Sequence, residues 1–217
     1  INGLRVTDKE TMEITEMVLT GKINTRLVAE VNLCINEDGG NGIKGIGLSG
    51  EDAQLLMVRK SDNKELGFVG EIEHINIEII ELLLAKNYLP IIATVGVDSS
   101  GERYNINADT AAGELAAALH AEKLIYLTDV DGIFGKLEDS SSLLSSLGGE
   151  EARQLLDSGR IQKGMIPKLR SALRALDGGV RKVHFLNGKR FHSILLELFT
   201  DSGIGTELVM NRENKEQ

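Results

Sequence analysis

The sequence predicts an α/β fold with a mainly parallel open sheet, and three observations carry that expectation. Short β-rich runs alternate with helical runs from about residue 66 to residue 186, the rhythm of strand–helix–strand crossovers. Twenty-four glycines against two prolines suit many strand-to-helix turns and few stiff linkers. A chain of 217 residues, 41% hydrophobic and 26% charged, has enough apolar surface for a sizeable core in one large domain or two small ones.

Taken in order, residues 8–31 place Met12, Ile14, Met17, Val18, Ile23, Leu27, Val28 and Val31 near helical spacing, interrupted at Gly21. Two helices joined at Gly21 are expected. Thr7 or Asp8 supplies the N-cap, and Glu10 and Glu13 sit favourably near the positive end of the dipole. Residues 45–50, Gly-Ile-Gly-Leu-Ser-Gly, spell the nominal dinucleotide fingerprint. That fingerprint needs a hydrophobic strand before it, whereas residues 37–44 are polar and glycine-rich. A glycine-lined strand-to-turn passage is the reading.

Residues 66–75 predict a hairpin strand, 77–84 a helix, and 89–97 a buried strand opened by Pro90. The alanine-rich run 108–121 predicts a helix, 123–128 a strand, and the five serines within 140–146 a surface loop. Residues 143–158 read as mostly helix, 166–176 as a helix with Pro167 in its first turn, and 180–186 as a strand.

Composition excludes several classes. A net charge of -9 and a pI near 5.0 argue against a nucleic-acid surface, which needs a basic face. No apolar run approaches the roughly 20 residues of a membrane span. Cys34 is the single cysteine and cannot close an intrachain disulfide, which fits a reducing compartment. His74, His120, His184 and His192 lack metal-ligand spacing, so no metal site is predicted. No Gly-x-x-x-x-Gly-Lys-Ser/Thr loop is present, which excludes a P-loop nucleotidase.

Three segments carry chemistry. Asn105, Asn107 and Asp109 fall at the start of the alanine-rich helix, where free N–H groups and the dipole favour an anion; Asp109 could equally be a cap, and the asparagines turn residues. Asp129 and Asp131, in Thr-Asp-Val-Asp-Gly, follow the strand 123–128 and so lie at its carboxyl end, where ligands collect in open α/β sheets; the same residues also suit an ordinary turn. Lys163 and Lys168 flank the start of the helix at 166. The dipole there repels a cation, so Lys168 is better explained by an adjacent anion than by the helix itself, with a solvated surface lysine as the alternative.

Further stretches stand in a fixed order with these: Gly-Leu-Arg-Val-Thr-Asp at 3–8, Gly-Leu-Ser-Gly at 47–50, Gly-Phe-Val-Gly-Glu at 67–71, Tyr-Asn-Ile-Asn-Ala-Asp-Thr-Ala-Ala at 104–112, Thr-Asp-Val-Asp-Gly at 128–132, Gly-Met-Ile-Pro-Lys at 164–168, and Leu-Glu-Leu-Phe-Thr-Asp-Ser-Gly-Ile-Gly-Thr at 196–206. In combination the chain resembles the amino-acid kinase family, in its branch acting on N-acetyl-L-glutamate. The resemblance implies a three-layer αβα sandwich, with roughly 1–110 as the acyl-amino-acid lobe and 111–217 as the nucleotide lobe. It implies phosphoryl transfer from ATP, carried with Mg2+, to the side-chain carboxylate. Lys168 and Asp109 take the catalytic positions, Lys168 neutralising the transferring phosphoryl and Asp109 orienting lysines. Arg5 would hold the α-carboxylate and Asn105 the bound amino acid. Thr128, Asp129, Val130, Asp131, Gly132, Ile133, Arg160, Ile161 and Gln162 would line the nucleotide.

The C-terminal stretch resembles the arginine-sensitive branch, which places His184, Glu197 and Gly203 at an inhibitory arginine site. That branch implies a homo-oligomer, dimer or hexamer, and in some members a PII-type signalling partner, in the cytoplasm or the plastid stroma; neither nucleic acid nor membrane is an expected partner. The family also carries a strand with a catalytic lysine and glycine-rich loops ahead of the Gly-Leu-Arg segment, whereas this sequence starts at Ile1 without a leader. A fragment with crippled catalysis and poor stability is therefore expected. The rivals are a family member acting on another carboxylate or carbamate, and a non-catalytic arginine-binding relative.

Overall fold

The computed structural model describes residues 5–37, 42–136, 139–159, 161–200 and 203–210. Its contacts divide the chain into two compact units, Ile1–Ala111 and Ala112–Gln217.

In the first unit Asp8 caps α1 (Lys9–Glu16), its carboxylate accepting the Thr11 N–H at 2.8 Å. The helix does not stop at Gly21 as the sequence suggested. It continues through a π-helical stretch, Met17–Asn24, into α2 (Thr25–Glu37). A glycine inside a helix costs about 1 kcal/mol relative to alanine and need not end it, and the wider π turn changes which side chains face the sheet. Here it delivers Asn24, which is buried and donates to the Ile91 carbonyl at 2.7 Å.

Strand β1 (Lys44–Ser49) pairs in parallel with β4 (Tyr88–Ala93), Gly47 opposite Ile91. The glycines of this strand make room for the helix. A Cβ on Gly47 would fall 2.0 Å from Asn24 Oδ1, and Asn32 exchanges two hydrogen bonds with the backbone of Gly45, at 2.7 and 3.0 Å. The Gly-x-Gly pattern is thus the strand's packing surface, in agreement with the glycine-lined reading.

A second sheet runs β3-β2-β5-β6, from β2 (Leu56–Lys60), β3 (Gly70–Ile75), β5 (Val95–Val97) and β6 (Arg103–Asn105). Between them lies α3 (Glu78–Ala85). Two expectations change here. The run 89–97 is two strands, because after Ala93 the chain leaves β1 and pairs with β2 and β6 instead. The hairpin strand starts at Gly70, since Lys64–Leu66 is a 3-10 turn closed by Gly67 at φ +73°.

The helix α4 (Ala108–Ala118) precedes the sheet of the second unit, whose order is β7-β9-β10-β8. Strands β7 (Lys123–Thr128) and β9 (Lys182–Asn187) are parallel; β10 (Thr206–Val209) is antiparallel to β9 and parallel to β8 (Ser146–Gly148). The mostly helical reading of 143–158 is corrected: β8 forms first, because Leu147 is buried opposite Leu208, and α5 (Gly149–Asp157) follows. Helices α6 (Ile166–Asp177) and α7 (Ser193–Phe199) complete the unit. Its core joins Leu169, Ala172, Leu173 and Leu176 of α6 to Tyr126, Val183, Phe185 and Leu208 of the sheet. Tyr126 stacks on Phe185 at 5.3 Å and donates its hydroxyl to Ser171 at 2.9 Å. Among the described residues four strand pairs are parallel and three antiparallel, so the α/β class holds with mixed sheets.

Candidate active site

In the first unit, Arg5 is exposed and lies two residues before Thr7, which is fully buried. The Thr7 carbonyl accepts the Phe68 N–H at 2.6 Å, the Phe68 carbonyl accepts the Asn105 N–H at 2.9 Å, and Asn105 Nδ2 donates to Thr7 Oγ1 at 3.3 Å. The segments bearing Arg5 and Asn105 are therefore stitched side by side. Gly67 is required at this seam, because a Cβ there would sit 2.1 Å from the Thr7 carbonyl oxygen. Asn107 caps α4, its Oδ1 accepting the Thr110 N–H at 3.0 Å, which leaves Asp109 half-buried inside the first turn.

In the second unit, β7 ends at Thr128, whose hydroxyl donates to the Val130 carbonyl at 2.7 Å and starts the turn. The adjacent end of β9 fixes that turn: Gly188 N–H donates to the Thr128 carbonyl at 2.8 Å, and Asn187 Nδ2 to Asp131 Oδ1 at 2.8 Å. Gly132 has φ +154°, and a Cβ there would fall 2.5 Å from Thr206 Oγ1. A small hollow of about 10 Å³ lies beside it, lined by Gly132, Ile133, Phe134, Lys136, Ile161, Gln162 and Met165. Two segments separated by about thirty residues of sequence, including Gly132, Ile133, Ile161 and Gln162, thus meet at one hollow. Thr128, Asp129, Val130 and Asp131 form the turn leading into it, and Arg160 lies outside the described residues. Lys168 is half-buried in the first turn of α6, three residues beyond the lining Met165.

The hollow also takes in Phe134, Lys136 and Met165, to which sequence reasoning assigned no role. The Ile-Phe-Gly-Lys run directly after the two aspartates was the available signal for the first two.

His184, Glu197 and Gly203 also come together. His184 Nδ1 and Glu197 Oε1 are 2.8 Å apart, with both side chains 5% exposed. Glu197 Oε2 accepts the N–H groups of Ile204 at 2.7 Å and Gly205 at 3.0 Å. Gly203 has φ +60°, and a Cβ there would fall 2.8 Å from Glu197 Oε2. Burial pushes the Glu197 carboxyl up, but the hydrogen bonds from Ile204, His184 and Gly205 outweigh it and hold the group below the ordinary glutamate value. Among the described residues no group of three or more His, Cys, Asp or Glu side chains is placed to hold a metal ion, and no helix is long and apolar enough to cross a membrane.

The sequence model of the amino acid kinase family matches residues 1–187. Similar curated proteins include the acetylglutamate kinase of Caldanaerobacter subterraneus, 52% identical over 95% of this chain and 67% of the relative, and that of Porphyra purpurea, 49% identical over 96% of this chain and 71% of the relative. The chain thus spans about two thirds of the length of such relatives. Among solved structures, the N-acetylglutamate synthase of Neisseria gonorrhoeae, complexed with coenzyme A and N-acetyl-glutamate, superposes with a TM-score of 0.81 at 29% identity. That match covers 98% of this chain and 47% of the synthase. The same synthase complexed with coenzyme A and L-arginine gives a TM-score of 0.80 at 28% identity, over 97% and 48%.

Proposed function

Because the chain belongs to the amino acid kinase family, we propose that it transfers the γ-phosphoryl group of ATP to the side-chain carboxylate of N-acetyl-L-glutamate, giving an acyl phosphate. The observation that carries this reading is that the chain is about half identical to acetylglutamate kinases over 95% or more of its length; residues 132–133 and 161–162 meet just ahead of the helix bearing Lys168, in keeping with it.

The chemistry asks for positioning and charge neutralisation more than for covalent help. The nucleophile is a carboxylate, ionised at neutral pH, so no side chain has to remove a proton. Arg5 presents a guanidinium fork suited to bidentate capture of the substrate's α-carboxylate, and Asn105, anchored through Thr7, offers an amide to the same ligand. Ile133, Ile161 and Met165 back the Gly132 turn from the core, and Lys136 brings a cation to its edge, where a nucleotide would be met. Lys168 neutralises charge on the transferring phosphoryl, and Asp109 is assigned the orientation of phosphate-facing ammonium groups. Mg2+ would enter with the nucleotide and would help neutralise charge on its phosphates.

The same proposal includes feedback inhibition by arginine at His184, Glu197 and Gly203, supported by the mutual contact of these three residues and by the synthase complexed with L-arginine. A homo-oligomer, a PII-type partner and residence in the cytoplasm or plastid stroma complete it.

Trapping of acyl phosphate with hydroxylamine tests the reading. These 217 residues, and a longer product supplying the lysine-bearing strand expected ahead of Gly3, are assayed with ATP and N-acetylglutamate, glutamate or aspartate. Hydroxamate formation selective for N-acetylglutamate is expected, with a loss of about 10²-fold or more on Lys168→Ala. Equal rates on all three acids, or no hydroxamate from either form while arginine still binds, would sink it.

A further inference from the structure

Thr206 opens β10 at the edge of the loop described above. It is completely buried, and its hydroxyl is used twice: it accepts the Ile133 N–H at 2.9 Å and donates to the Leu144 carbonyl at 2.6 Å. Leu144 in turn donates its N–H to the Ile133 carbonyl at 2.9 Å, which closes a ring of hydrogen bonds around the segment lining the cavity. The φ of +154° at Gly132 belongs to the same arrangement, since any Cβ there would strike this hydroxyl.

Thr206 is itself located from three directions. It pairs with Phe185 in the antiparallel β9–β10 ladder. Gly205 before it approaches so closely that a Cβ would lie 2.3 Å from the Phe185 carbonyl oxygen. The Glu197 carboxylate holds the N–H groups of Ile204 and Gly205. A hydroxyl anchored to the sheet in this way is a fixed point for the loop, the kind of support that keeps a binding geometry within a fraction of an ångström.

We infer that Thr206 is a positioning residue for the nucleotide, holding Gly132 and Ile133 in the geometry that shapes the cavity without touching the ligand itself. The inference rests on the reading of that cavity as the nucleotide site.

Calorimetric titration with ADP compares the parent chain with Thr206→Val, which keeps the shape and removes the hydroxyl, and Thr206→Ser, which keeps the hydroxyl. Removing it leaves Ile133 N–H and Leu144 C=O without a buried partner. Thr206→Val is expected to bind ADP about tenfold more weakly, Thr206→Ser within about twofold of the parent, and N-acetylglutamate equally to all three. Thermal melts establish that each variant is folded under the titration conditions. The titrations use the longer product carrying each Thr206 variant; if that product with Thr206 intact binds no ADP, the nucleotide reading and this inference are overturned together. A parent that binds ADP, with Thr206→Val binding it equally, would overturn the positioning role alone, as would an unrescued loss in Thr206→Ser.

Discussion

Gly132 shows how much a single missing methyl group decides. Its φ of +154° is one that side-chain-bearing residues rarely adopt, and its Cβ position is already occupied by Thr206 Oγ1 and, at 2.9 Å, by Leu143 Cδ1. Gly132→Ala is therefore expected to cost about 1–3 kcal/mol of stability and to weaken nucleotide binding, both read by thermal melts with and without ADP. An alanine variant whose melting point and ADP-induced shift match the parent would show that the loop tolerates a Cβ. Glu197 gives a pH dependence at the same scale. Its carboxyl is held below the ordinary value in the folded protein, so its contribution to stability is fully present above the unfolded value of about 4.3 and is lost as pH falls through the lower folded value. Glu197→Gln removes that contribution. The gap in melting temperature between parent and variant is expected to be widest near neutrality and to shrink below about pH 4; a gap independent of pH would contradict the assignment.

The long helix and β1 belong together as elements. The apolar spacing of residues 8–31 made a helical region legible, and the Asp8 cap was legible in its residue type and position. The π stretch was not, because its cause is tertiary: Asn24 must reach the Ile91 carbonyl, and only Gly47 leaves space for its amide. Gly47→Ala is expected to displace Asn24 and destabilise the first unit by about 1–3 kcal/mol, measured as the lowering of its thermal transition by circular dichroism. Retention of the parent transition would mean that the asparagine is not a fixed part of this packing. The split of 89–97 into β4 and β5 was hidden for a similar reason. Its residues are uniformly apolar or small, and nothing in their pattern records that the strand changes partners after Ala93. Strand β2 gave too short a signal to be read at all, whereas Lys123–Thr128, bounded by helix and turn, was legible to its last residue.

For the whole molecule, the α/β class and the order of the motifs were legible in the sequence, because each motif is local and keeps its place along the chain. The membership of the cavity was legible only in part. Gly132, Ile133, Ile161 and Gln162 carried a signal in their motifs, while Met165 enters through the turn into α6 and Thr206 acts from a strand more than seventy residues downstream of the loop it supports. Of the two compact units, one bears Arg5 and Asn105 and the other the hollow and Lys168. In the proposed reaction the side-chain carboxylate of N-acetylglutamate attacks the γ-phosphorus. N-acetylglutamate labelled with oxygen-18 in that carboxylate, incubated with ATP and the longer product and then cleaved with hydroxylamine, tests it directly by phosphorus NMR. Attack by the carboxylate places one label in the bridging oxygen of the acyl phosphate, and hydroxylamine attack at the carbonyl releases it in inorganic phosphate. Phosphate bearing one oxygen-18 is the expected result; unlabelled phosphate, the product of simple ATP hydrolysis by water, would rule out attack by the carboxylate.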